Sequence, residues 1–152
     1  AQLDRFMFNL TVDYPSFTEE VDIVKNTTSD NVNTIKEVLS VQEILKIQNL
    51  IRKIPIADNV VEYAVKLVTK SRPNTEFASD IANTYLSWGA GPRASQFLVL
   101  AAKAHAVIHG KFSPDIEDVK AIAFPILCHR IVRNYKAEAE NMTTEKIINS
   151  FL

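Results

Sequence analysis

The chain has 152 residues, 47% of them hydrophobic, with a formal net charge of −1 and a single cysteine, Cys128. That is enough for one domain with a real core and too apolar for disorder, while a charge near zero supplies no field drawing the chain to nucleic acid or an anionic membrane. Three glycines favour helices over a turn-rich β fold, the lone cysteine forms no internal disulfide and fits a reducing cytoplasm, and no run reads as a membrane span or signal peptide.

Phe6 to Val12 is a β-prone run without an obvious partner strand. It either belongs to a sheet outside this chain or packs on helices. Ser16-x-x-Glu19 is a capping box that starts a helix over about 17–26, expected to bury Phe17, Val21 and Val24. Residues 27–39 read as a loop, with Ile35 to Leu39 docking back as an extended piece. A second capping box, Ser40-x-x-Glu43, opens a helix that carries Ile44, Leu45, Ile47, Leu50 and Ile51 and ends before Pro55. Asp58 begins the next helix, with Val61, Ala64, Val65 and Val68 on its apolar face and a stop near Ser71. Residues 72–88 lack a strong helical period and read as a long connection with one helical turn or a short strand. Pro92 to His109 is the most apolar helix, and Gly110 suits a left-handed residue just past its end. Ser113-Pro114-Asp115 predicts an N-cap and a proline at the first helical position, for a helix disturbed at Pro125. His129 to Val132 reads as extended or irregular, and Thr143 or Thr144 caps a last helix over Glu145 to Phe151.

The stretch Trp88 to Ser95 carries the most specific chemistry. Gly91 suits an N-cap and Pro92 the first helical position, which places Arg93 in the first turn. A cation there opposes the helix dipole, at a cost of about 0.3–1 kcal/mol. Its presence makes sense where a phosphate sits in front of the helix; a solvated arginine beside an N-cap is the plainer alternative.

The rest of the inventory is thin. No G-x-x-x-x-G-K-[ST] loop is present, so this chain does not bind a nucleoside triphosphate in that way by itself. His105 and His109 have the i, i+4 spacing of a metal pair, but no third ligand is evident. Cys128-His129 invites a thiol–base reading, against which adjacent side chains usually point apart. His129, Arg130, Arg133 and Lys136 form a basic cluster, either a solvated edge or a phosphate or partner contact.

Four segments resemble, in order, those of the MoxR-type AAA+ ATPases. Ala1-Gln2-Leu3-Asp4-Arg5-Phe6 is similar to the A-x-L-D-R-F segment that closes the family's ATPase core. Gly89-Ala90-Gly91-Pro92-Arg93-Ala94-Ser95 is similar to its sensor 2 motif, G-A-S-P-R-A-S, with Gly91 in place of serine. Ser113 to Val119 resembles its T-P-E-D-V helix start, and Pro125 to Ile131 its P-V-L-R-H-R-L stretch.

The resemblance implies a mostly α fold: a lid bundle of four to five helices with an N-terminal strand left over from an α/β core. Residues 1–14 would end the core and residues 15–152 form the lid. Because the chain starts at Ala1 inside a motif, it is expected to be a fragment of a longer protein. Arg93, presented by Gly91 and Pro92, would reach the phosphates of ATP in its own subunit. Arg5 would be an arginine finger acting on the neighbouring subunit. The full-length protein would bind ATP and Mg2+, hydrolyse ATP and form a homo-oligomeric ring, a hexamer. It would act as a cytoplasmic, chaperone-like protein with its own AAA+ core and a von Willebrand factor A domain protein as partners, and without nucleic acid or a membrane span. The fragment alone would be inactive. The competing reading is a helical protein-interaction module unrelated to ATP.

Overall fold

A computed structural model describes residues 2–30 and 35–152 of the chain. Its long helices are α1 (Phe17–Thr28), α2 (Val41–Lys53), α3 (Asp58–Lys70) and α5 (Pro92–Ile108). Between and after them lie the short helices α4 (Asp80–Tyr85), α6 (Ile116–Ala121), α7 (Ala123–Leu127), α8 (Tyr135–Ala139) and α9 (Thr144–Asn149). Two short strands, β1 (Leu86–Trp88) and β2 (Val132–Arg133), pair antiparallel, with Leu86 opposite Arg133 and Trp88 opposite Val132. The expected bundle of four to five helices is thus four long helices among the described residues; α6 with α7, and α9, are the two helices expected after Gly110, while α4 lies in what read as the 72–88 connection.

The centre is α5. Ala94, Leu98, Ala101 and Ala102 are buried along it, and its small side chains let neighbouring helices approach closely. Leu67 and Val68 of α3, Val119 of α6, Ile126 and Leu127 of α7, and Ile147, Ile148 and Phe151 at the C-terminal end complete one core. The end of α5 is a Schellman motif: Gly110 has φ +74°, its N–H donates to Val107 O, and the Lys111 N–H donates to Ala106 O.

Both predicted capping boxes are formed, with Ser16 and Glu19, and Ser40 and Glu43, bonding reciprocally. The expected cap of α6 moves by two residues. Asp115, not Ser113, is its N-cap, in a box with Asp118, so Pro114 precedes the helix. The two carboxylates each accept the other residue's N–H, and this reciprocal pair outcompetes the serine.

Other expectations fail where they assumed burial. Phe17 and Val24 are exposed and no residue of α1 is buried, because no described element covers that face. Ile35 and Val38 are exposed, so Ile35 to Leu39 does not dock back. Thr27 and Thr28 belong to α1, and the part of the expected loop at 31–34 lies outside the described residues. The N-terminal strand expected over Phe6 to Val12 is absent. Those residues carry no regular structure, since no described strand lies beside them, and the Asn9 N–H donates instead to Pro125 O at 2.8 Å.

Candidate functional site

Gly89 fixes how the Arg93 helix is mounted. A Cβ at Gly89 would lie 2.2 Å from Ser71 O and 2.6 Å from Arg72 Cα, so only glycine lets this strand end cross the end of α3. Buried Ser71 then accepts the Ala90 N–H at 3.0 Å while donating to Val68 O, and Arg72 Nε donates to Ala90 O at 2.8 Å. With 89–90 clamped from both sides, α5 starts at Pro92 behind an N-cap at Gly91, as predicted. A Cβ added to Gly91 would meet nothing within 4 Å, so the space before the helix is open.

Arg93 projects from that first turn, and α5 has no acidic residue there to balance it. Its side chain is 50% exposed, and Nη1 donates to Asp4 Oδ2 at 2.9 Å. Asp4 lies in a 3-10 turn, Leu3–Arg5, and its other oxygen accepts Arg130 Nε at 3.0 Å. One carboxylate therefore joins the N-terminal segment to an exposed and a buried guanidinium. Gln2, Leu3, Trp88, Gly89, Gly91 and His129 line the adjoining cavity of about 880 Å³.

Arg5 is exposed, with its guanidinium 5.6 Å from the Phe6 ring centroid and no ion pair among the described residues. Asp4, its sequence neighbour, is committed elsewhere. Arg5 and Arg93 thus flank the same short segment, and both keep reach into solvent.

The basic cluster divides. Arg130 is not a solvated edge: its side chain is 1% exposed and lies 5.1 Å from the Phe97 ring centroid. Burial pushes its pKa down and the Asp4 bond raises it, yet a guanidinium stays charged in either case. It donates to the carbonyls of Asp4 at 2.9 Å and Met7 at 3.2 Å, and to those of Phe6 and Ile126. Its position in the P-V-L-R-H-R-L-like stretch was the one available signal. Arg133, in β2, donates to Met142 O, and Lys136 sits over Tyr85.

The other candidates have structural partners. Cys128 Sγ and His129 Nδ1 are 4.0 Å apart, while His129 Nε2 donates to Phe6 O at 3.1 Å. Burial pushes the Cys128 thiol up and the His129 imidazole down, the reverse of an activated thiolate pair. His105 Nδ1 donates to Asp118 at 2.7 Å and His109 Nδ1 to His105 O at 2.8 Å. Among the described residues no group of three or more His, Cys, Asp or Glu side chains is placed to hold a metal ion. No described helix is long and apolar enough to cross a membrane.

A family model for the AAA lid domain matches residues 78–151, from α4 through α9. Over its full length the chain is 30% identical to Chaperone MoxR1 of Mycobacterium tuberculosis, covering 40% of that protein. It is 29% identical to the uncharacterized protein YeaC of Bacillus subtilis, covering 45% of it. The chain therefore spans less than half the length of these curated relatives. A crystal structure of a protein with a proposed ATPase activity, from Cytophaga hutchinsonii, superimposes with a TM-score of 0.87 at 32% identity, over 99% of this chain and 46% of the other.

Proposed function

The chain belongs to the MoxR-type AAA+ ATPases, as their helical lid region, and from that premise we propose that it brings two arginines to ATP: Arg93 in its own subunit and Arg5 in the next. ATP supplies the anhydride bond that is cleaved, and the phosphate loop and Mg2+ ligands belong to the core outside this chain. What this chain contributes is positioned positive charge.

The observation that carries the reading is Arg93 at the open N-terminus of α5. Its guanidinium is half-exposed, adds to the partial positive charge of the helix end, and is held by one carboxylate beside unfilled space. Such a group exchanges a surface carboxylate for a phosphate at little cost, because an exposed ion pair is worth only about 0.2–1 kcal/mol. Gly91 and Pro92 serve by setting where the helix begins. The exposure of Arg5 on the turn beside Asp4 supports its acting as a finger in a homo-oligomeric ring.

Residues 1–14 end the AAA+ core in this reading, and the core covers the bare apolar side chains of α1 and the stretch before α2. Phe17, Ile35 and Val38 are 84%, 94% and 90% exposed, large apolar side chains that a covering core would bury. The full-length protein is a cytoplasmic, chaperone-like ATPase, with a von Willebrand factor A domain protein as its partner class.

The test is Arg93→Ala in the full-length protein. ATP affinity or turnover should fall while the lid keeps its stability. Loss of the Asp4 ion pair and relief of the opposed helix dipole each change stability by about 0.3–1 kcal/mol in opposite directions. A large drop in melting temperature with unchanged ATP handling would make Arg93 structural and sink the reading.

A further inference from the structure

Arg5 stands between two residues whose backbone carbonyls are both held by one side chain. Arg130 Nη2 donates to Asp4 O and to Phe6 O, Nη1 reaches Met7 O, and Nε takes the Asp4 carboxylate. The 3-10 turn that bears Arg5 has little else to fix it. No residue of it is buried, and Leu3 and Phe6 are 61% and 57% exposed. Further anchors come from the same place as Arg130: His129 Nε2 on Phe6 O, and Pro125 O on the Asn9 N–H.

Burying a guanidinium is expensive unless its donors are filled, and here three of its acceptors are carbonyls of one irregular segment. An apolar side chain would fill the same space against Phe97 without that cost, but it would not set the angle of the 4–7 backbone. We propose that Arg130 is a positioning residue for the arginine finger: it fixes the backbone on both sides of Arg5, so that the Arg5 guanidinium meets the neighbouring subunit's nucleotide at one geometry. The inference rests on the finger reading of Arg5. It places the effect of Arg130 on the neighbour's pocket and not on its own, although Arg130 and Arg93 share Asp4.

The test uses the full-length protein with Arg130→Lys, which keeps the charge but loses the fork that spans several carbonyls. Turnover should fall at least about tenfold while ATP affinity stays within about twofold, since a finger acts chiefly on charge developed in the transition state. Mixing Arg130→Lys subunits with subunits carrying a dead phosphate loop should restore part of the activity, as mixing Arg5→Ala subunits should. In such a ring a live pocket meets an intact finger. If Arg5→Ala is rescued and Arg130→Lys is not, Arg130 acts within its own subunit and the positioning role is overturned while the finger stands. If subunit exchange is demonstrated and Arg5→Ala is not rescued either, the finger reading falls and this inference falls with it. Should Arg130→Lys fail to fold, Arg130→Gln takes its place. That variant removes the charge and the fork but keeps an amide donor for the segment's carbonyls, and it leaves Asp4 paired with Arg93; its loss of turnover must also be rescued by mixing, and failure of rescue overturns the proposal.

Discussion

Asp118 lends itself to a quantitative test of how the lid is held together. Its side chain is fully buried where α6 begins against the end of α5. It accepts the Asp115 N–H at 2.9 Å, His105 Nδ1 at 2.7 Å and Lys111 Nζ at 3.1 Å. Burial pushes the carboxyl up, but the Asp115 backbone bond, then those of His105 and Lys111, outweigh it and hold the pKa at about 2 against an ordinary 3.8. A carboxyl depressed on folding contributes stability that is fully present above its unfolded pKa and is lost as pH falls through the folded value. The window is therefore pH 4 down to 2, and the difference corresponds to about 2 kcal/mol. Asp118→Asn keeps the shape but removes the charge and turns one acceptor into a donor that faces Lys111. It should cost about 2–3 kcal/mol near neutral pH and flatten the pH dependence between 4 and 2. Urea unfolding of both chains at half-unit steps from pH 2 to 7 reads both quantities. Parallel curves for the two chains across pH 4–2 would refute the reasoning, whatever the offset at pH 7.

Two glycines make further predictions. Gly89→Ala places a Cβ 2.2 Å from the Ser71 carbonyl oxygen, so the end of α3 or the 89–91 segment must move and the Ser71–Ala90 bond is strained. A loss of about 2–3 kcal/mol is expected by thermal melting, and a change under about 0.5 kcal/mol would show that the contact relaxes freely. Gly110→Ala has open space around the Cβ but a φ of +74°, so its cost should be only about 1 kcal/mol and purely conformational. Gly110→Asn, which tolerates that conformation better, should recover part of it; an asparagine variant no better than alanine would place the cost elsewhere.

The helices that carry their own start signals were legible in the chain. Ser16 and Ser40 with their glutamates, and Gly91-Pro92 before the apolar run, act within one turn of backbone, and each begins a helix where the local chemistry puts it. Gly110 likewise ends α5 by local backbone freedom. The candidate site was legible in part for the same reason: the position of Arg93 in the first turn of α5 follows from the residues just before it. Burial is not local, and there the chain misled. The apolar spacing of α1 predicted a buried face, yet a face is buried only when another element covers it, and none described does. The β-prone run at 6–12 has strand chemistry and no strand, because a ladder needs a neighbour. Asp4, Arg93 and Arg130 lie 89 and 126 residues apart along the chain for their two hydrogen bonds. Nothing in the spacing of those letters distinguishes Arg130, buried and bonded to four carbonyls, from a basic residue in water. The docking of the segment 4–9 against the end of α7 and the residues just after it makes that distinction. Four carbonyls and a carboxylate converge on one point there, and a guanidinium is the one side chain with enough donors to meet them.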